Sequence, residues 1–273
     1  MTPILPQWLA TLLLAVVLIA ATEASFRFTR SYFRKKPEAR TSGDGTGLML
    51  SAALALLGLL IGFTFSLASD RYDARRGWVN EEANAIGTAY LRARLAVGPD
   101  AATLPTLWAD YGEKRLALPG AAADPPRERA LLDEANALQP RIWAALRRET
   151  IAAPNDITAT MVDATNTAFD VAASRQTAVE ARLPPAVTWS VIVYAIVAAT
   201  ILGHALVSDS RRLLMSSVLL GLVALSIGLI VDLDRPTTGL VRVSQAPMER
   251  AMATIRAMQA ADRAATATTG GTP

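Results

Sequence analysis

Apolar residues fall into four long blocks, separated by stretches that carry nearly all the charge. The second block, Leu48–Ser69, runs 22 residues without a charge, and Asp70, Arg71, Asp73, Arg75 and Arg76 follow at once. As a helix, an apolar run of about 20 residues crosses a bilayer core of roughly 30 Å. A helix on a soluble domain needs only one apolar stripe. The pattern therefore predicts a membrane span that continues into a charged helical extension. The other blocks predict three more spans: Trp8–Thr22 (extended back to Ile4), Ala186–Val207 and Leu213–Val231. Pro184 and Pro185 precede the third, where a helix tolerates proline in its first turn.

Between the second and third blocks, Asp70–Leu183 is polar and reads as helical throughout. Arg71–Leu95 continues the second span and stops at the breaker Gly98-Pro99-Asp100. Thr106–Leu118 follows, with Leu107, Tyr111 and Leu118 as its buried side, and Pro119–Pro126 reads as a loop. Arg127–Leu138 and Arg141–Ile151 flank Pro140, which is expected to kink or break the helix because it lacks an N–H. Asn155 or Asp156 can cap a helix running to about Arg182, with Ile157, Met161, Ala164, Ala168 and Val171 at helical spacing. A last helix starts near Val243, its face marked by Met248, Met252, Ile255 and Met258, and Gly270–Pro273 reads as a frayed tail. Glu23–Gly47 and Ser208–Arg212 read as polar connectors, the first ending in a turn over Thr41–Gly47. No stretch alternates as a strand would. The expected fold class is all-α: an integral membrane protein with four transmembrane helices and a helical extramembrane domain. Its expected parts are a first hairpin (1–69), a helical domain (70–185), a second hairpin (186–231) and a C-terminal loop and helix (232–273).

Composition narrows the chemistry. Hydrophobic residues make up 52% of the 273, in keeping with membrane spans. Without cysteine there is no disulfide, thiolate metal site or cysteine nucleophile, and with His204 alone no multi-histidine centre forms within one chain. The net charge is +3 and no basic block is interleaved with aromatics, so nucleic acid is not an expected partner. The first connector is basic, with Arg27, Arg30, Arg34, Lys35, Lys36 and Arg40, and Arg211 and Arg212 lie on the same side. Positive charge favours the cytoplasmic side, which puts both termini and the helical domain outside. The AATEAS run ending at Ser25 has a faint signal-peptidase look, but Met1–Gln7 has no positive side chain, so the first block reads as an uncleaved span.

Five groups of residues are candidates for chemistry. At the junction Asp70, Arg71, Arg75 and Arg76, Arg71 and Arg75 repel at i, i+4, while Asp73 and Arg76 can pair at i, i+3. Two readings stand for this junction: the place where a helix leaves lipid, or a charged vestibule that collects ions by its field. Glu81, Glu82 and Asn84 read as a solvated face, since adjacent carboxylates on a helix point apart. Asp156, Asp163, Asn166 and Asp170 lie near one stripe, where they either keep the helix soluble or line a cation path in an oligomer. Asp232 and Asp234, in VDLDRPTTG, offer two carboxylates to a hard cation. His204 lies inside the third span, where ionisable groups often face an interior. No GxSxG, HExxH, P-loop or GxGxxG pattern occurs where chemistry could use it, so no enzyme activity is expected.

The stretch GFTFSLASDRYDARR resembles the end of the second span of the bestrophins: Gly62-Phe63, then Ser66, Arg71-Tyr72 and Arg76. DRYDARR, EEANAIGTAYLR and DRPTTGLVRVSQAPM are similar in form to the divergent bacterial bestrophin-like membrane proteins, a likeness reaching from about Leu48 to Met248. It implies a homo-oligomer, a pentamer, in the bacterial inner membrane, conducting inorganic ions through a neck lined by the second span. Carried over by position, the neck is Ala55, Leu59 and Phe63, with Ser66 as a polar step. Ala55 is smaller than the bulky residue the family pattern has, Thr64 replaces an arginine, and Phe65 stands where asparagine is common. The acidic calcium clasp of animal bestrophins is at most echoed by Asp232 and Asp234, and no cofactor is expected. The family places its large domain in the cytoplasm, opposite to the charge count. The alternative to an ion channel is a membrane-anchored helical sensor or scaffold without conduction.

Overall fold

The computed structural model describes residues 6–35, 43–207, 213–235 and 239–269. The connector Ser208–Arg212, the tail Gly270–Pro273 and Lys36–Ser42 of the first connector lie outside the described residues. Among the described residues there are eight helices and no strand: α1 (Gln7–Lys35), α2 (Gly43–Ala93), α3 (Thr103–Ala121), α4 (Pro125–Ala152), α5 (Asp156–Glu180), α6 (Pro185–Ala205), α7 (Leu213–Asp234) and α8 (Ala246–Thr269). Four stretches are long and apolar enough to cross a membrane, and they include α1, α2, α6 and α7. Two boundaries of the first connector differ from those expected. Half of the first connector is helix, because α1 continues to Lys35, and the expected turn over Thr41–Gly47 is helical from Gly43 onward. The hydroxyls of α1 described below explain the first difference: they give the polar part of the helix something to pack on.

The chain divides into two compact units. The first holds residues 1–72, 182–235 and 239–241, so both hairpins belong to one body. Its core is Leu18 of α1, Leu57 of α2, Val191, Ala195, Ala198, Ala199 and Leu202 of α6, and Leu220, Ala224 and Ile227 of α7. The small residues on α6 let helices approach, which matters in lipid because apolar burial gives little drive for association there. On α1 the buried stripe is Leu18, Thr22, Phe26 and Thr29. Thr22 Oγ1 donates to the Ala199 carbonyl at 3.0 Å, and Ser25 Oγ donates to the Thr200 carbonyl at 2.6 Å. Gly203 permits this contact: a Cβ there would collide with the carbonyl oxygen of Thr22.

The second unit holds residues 73–181, 236–238 and 242–273. Its core gathers Ile86 and Tyr90 of α2, Leu104, Trp108 and Tyr111 of α3, Leu138, Ile142 and Leu146 of α4, Met161, Ala164 and Ala168 of α5, and Met248, Met252 and Ile255 of α8. Trp108, Tyr111 and Phe169 form an aromatic cluster with ring centroids 5.6 to 5.8 Å apart. The methionine face expected on the last helix is thus core. Asn155 does cap α5: its side chain accepts from Thr158 N at 3.0 Å, and Thr158 Oγ1 accepts from Asn155 N at 3.1 Å. Pro140 neither breaks nor ends its helix, since α4 runs from Pro125 to Ala152 through it. One hydrogen bond is lost there, but Leu138 and Ile142 are buried on either side and packing holds the helix. The expected Pro119–Pro126 loop shrinks as well, because α3 continues to Ala121 and α4 begins at Pro125 with Asp124 as its cap.

The expected breaker at Gly98-Pro99-Asp100 is pinned to α4. Glu149, fully buried, accepts from Gly98 N at 2.8 Å and from Asp100 N. Arg148 donates to both oxygens of Asp100, at 2.6 and 2.8 Å. That guanidinium holds the Asp100 carboxyl below its ordinary value. The unfolded chain therefore binds this proton more readily, and the contribution to stability is complete above the unfolded carboxylate value and lost as pH falls through the folded one.

The fold yields two predictions. A Cβ at position 98 would lie 2.7 Å from Glu149 Oε2, so Gly98→Ala should cost about 1–3 kcal/mol, read as a lower Tm in detergent. Asp100→Asn should melt earlier than the parent at neutral pH, and the gap should close as pH falls below about 4. A gap that stays constant down to pH 2.5 would exclude the ion pair as its source.

Candidate functional site

On a helix, side chains three, four and seven positions apart share a face. Leu57, Thr64, Ala68, Arg75, Val79, Glu82, Ile86, Ala89 and Ala93 follow this spacing along α2, and all are buried. The opposite face carries the proposed neck residues. Leu59 and Phe63 are 55% and 63% exposed, and Ala55, Gly62 and Ser66 are exposed beside them. The structure thus brings Ala55, Leu59, Phe63 and Ser66 together on one uncovered stripe. Thr64, at the family's arginine position, faces inward and donates to its own helix at the Leu60 carbonyl, 2.7 Å away.

The charged junction divides. Asp70 and Arg76 are exposed and Arg71 is half-buried, but Arg75 is only 3% exposed. Of the four residues expected to form a charged vestibule, Arg75 is the buried one: it lies 18 positions beyond Leu57, five full turns, and so on the buried stripe.

Glu82 corrects the reading of Glu81, Glu82 and Asn84 as a solvated face. It is fully buried, while Glu81 and Asn84 stay exposed. Its Oε1 accepts from Arg115 Nε at 2.5 Å and its Oε2 accepts from Arg175. Arg175 also donates to Gln245 Oε1 at 2.9 Å, and Arg115 to the Ala172 carbonyl at 3.3 Å. One carboxylate therefore ties α2 to α3 and α5. The signal for it was present, since Glu82 lies 18 positions after Thr64 on the same stripe.

Asp232 and Asp234 are each engaged by backbone amides. Asp232 is 2% exposed, and its two oxygens accept from Leu240 N at 2.9 Å and Val241 N at 2.8 Å. Asp234 Oδ1 accepts from Leu183 N at 2.8 Å. Both carboxylates thus accept from backbone amides of the chain. Among the described residues no group of three or more His, Asp or Glu is placed to share a metal. His204 joins α6 to α1: Nδ1 lies 3.0 Å from Thr29 Oγ1, and its ring is 6.1 Å from that of Phe33. Asp156, Asp163, Asn166 and Asp170 are all exposed on α5.

The fold has solved counterparts. Three crystal structures of a bacterial bestrophin homologue from Klebsiella pneumoniae share the fold. An isoleucine-to-threonine variant matches with a TM-score of 0.63 at 15% identity, over 88% of this chain and 95% of that one. A tryptophan-to-alanine variant matches with a TM-score of 0.64 at 15% identity, over 90% and 95%. A third structure of the homologue matches with a TM-score of 0.61 at 16% identity, over 90% and 94%. No curated protein sequence matches. The family model described as a Bestrophin-like domain matches residues 8–248, and the chain belongs to the bestrophin-like family.

Proposed function

We propose that this chain is the subunit of a homo-oligomeric ion channel, a pentamer in the bacterial inner membrane, that conducts ions passively along the α2 helices. The observation that carries this reading is the uncovered face of α2. Its inward face is packed by the other helices of the unit, while Ala55, Leu59, Gly62, Phe63 and Ser66 face away from the subunit. Several copies around an axis would place this stripe at the centre. Leu59 and Phe63 would form a constriction that gates by dewetting. Ala55 would widen one end of it, and Ser66 would give ions a polar step at the other. Asp70, Arg71 and Arg76 continue along the helix as charges that can concentrate ions by their field. Membership of the bestrophin-like family and the shared fold support the same reading. No resident cofactor takes part in it.

Phe63→Ala should raise the leak current severalfold in planar bilayers, and Leu59→Ala should do the same. Unchanged conductance in both would overturn the gate assignment. Images of the detergent-purified protein should show a ring with an axial hole. A monomer carrying no current would favour the anchored sensor or scaffold instead.

A further inference from the structure

The second unit contains a cavity of about 460 Å³, within the range of small-molecule sites. Arg75, Arg115, Arg129, Arg175 and Arg242 line it, with Glu128 as the acidic lining residue. These side chains come from α2, α3, α4, α5 and the segment before α8, so the positive charge is assembled from distant parts of the chain. Arg75, Arg115 and Arg175 are 3%, 4% and 7% exposed. Guanidinium groups this far out of water call for anionic or hydrogen-bonding partners. Glu82 sits behind the wall, and its charge is divided between Arg115 and Arg175. By formal charge the lining holds five arginines and Glu128, and Val79, Leu132 and Val179 add apolar surface beside them.

We propose that this cavity binds a phosphate monoester with a small apolar substituent. The planar guanidinium fork matches phosphate oxygens in bidentate geometry. Arginines brought from five parts of the chain to one space favour a dianion over a singly charged carboxylate. The valine and leucine side chains would cover the organic part. Arg129 and Arg242, both exposed, stand at the mouth, where they attract and then clamp the anion. Glu128 beside them opposes it. This site is independent of the conduction reading, because binding can be measured whether or not the protein carries current.

The test uses the full chain in detergent and follows Tm while phenyl phosphate is titrated. Sodium chloride of equal ionic strength, inorganic phosphate and phenylacetate serve as comparisons. Phenyl phosphate should raise Tm saturably, inorganic phosphate less, and phenylacetate and chloride least. Replacing both mouth arginines (Arg129→Gln with Arg242→Gln) should weaken apparent affinity about tenfold or more. Glu128→Gln, which leaves every arginine in place, should strengthen it. Dihexanoyl phosphatidate separates the two sources of a phosphate monoester: a larger shift than with phenyl phosphate assigns the group to a lipid headgroup, a smaller one to a soluble metabolite. No phosphate shift beyond the chloride control would overturn the proposal. So would the same affinity in the parent, the double arginine variant and Glu128→Gln.

Discussion

Helical periodicity makes α2 one ruler for the protein. Fifty-one residues at 1.5 Å each give a helix of about 75 Å, more than twice a bilayer core, so much of it must stand in water. Along that length one stripe stays buried while its neighbours change from lipid-compatible to polar. Leu57 and Ala68 need nothing but contact, whereas Thr64, Arg75 and Glu82 arrive at the same angular position and need partners. Thr64 finds one in its own helix, and Glu82 finds two arginines. The packing of α3 and α5 against α2 follows from that demand, because a lone buried carboxylate would be strongly destabilising.

Much of this architecture was legible in the chain. Charge-free runs of sufficient length mark spans whatever the fold, and the methionines of α8 and the Asn155 cap announce themselves by spacing. What was missed has a common cause. Glu82 and Arg75 are charged, and a charged residue reads as a surface residue unless its partner is known. The partners Arg115 and Arg175 lie 33 and 93 positions away from Glu82, so no local pattern contains the pair. Asp232 likewise serves two amides eight and nine residues on, bonds that no local pattern announces. Pro140 failed as a breaker for the opposite reason: a local rule with a cost of a few kcal/mol was outweighed by the core on both sides of it.

The first unit solves a different problem. Its helices cannot be held by apolar burial alone, so α1 and α6 meet through hydroxyls and a glycine. Thr22, Ser25 and Thr29 recur at three- and four-residue spacing and each reaches α6. These residues carry α1 past the end of its apolar block, which is why the helix extends to Lys35. The outer face of α2 is the complement of this arrangement: the helix committed to its own subunit on one side remains available on the other.

At the end of α7, Asp232 accepts from two amide donors of the chain itself and Asp234 from a third. Asparagine at position 232 would set an NH₂ against a backbone N–H, replacing one attraction with a repulsion. The carboxylate there is a piece of masonry, and its charge is spent on architecture.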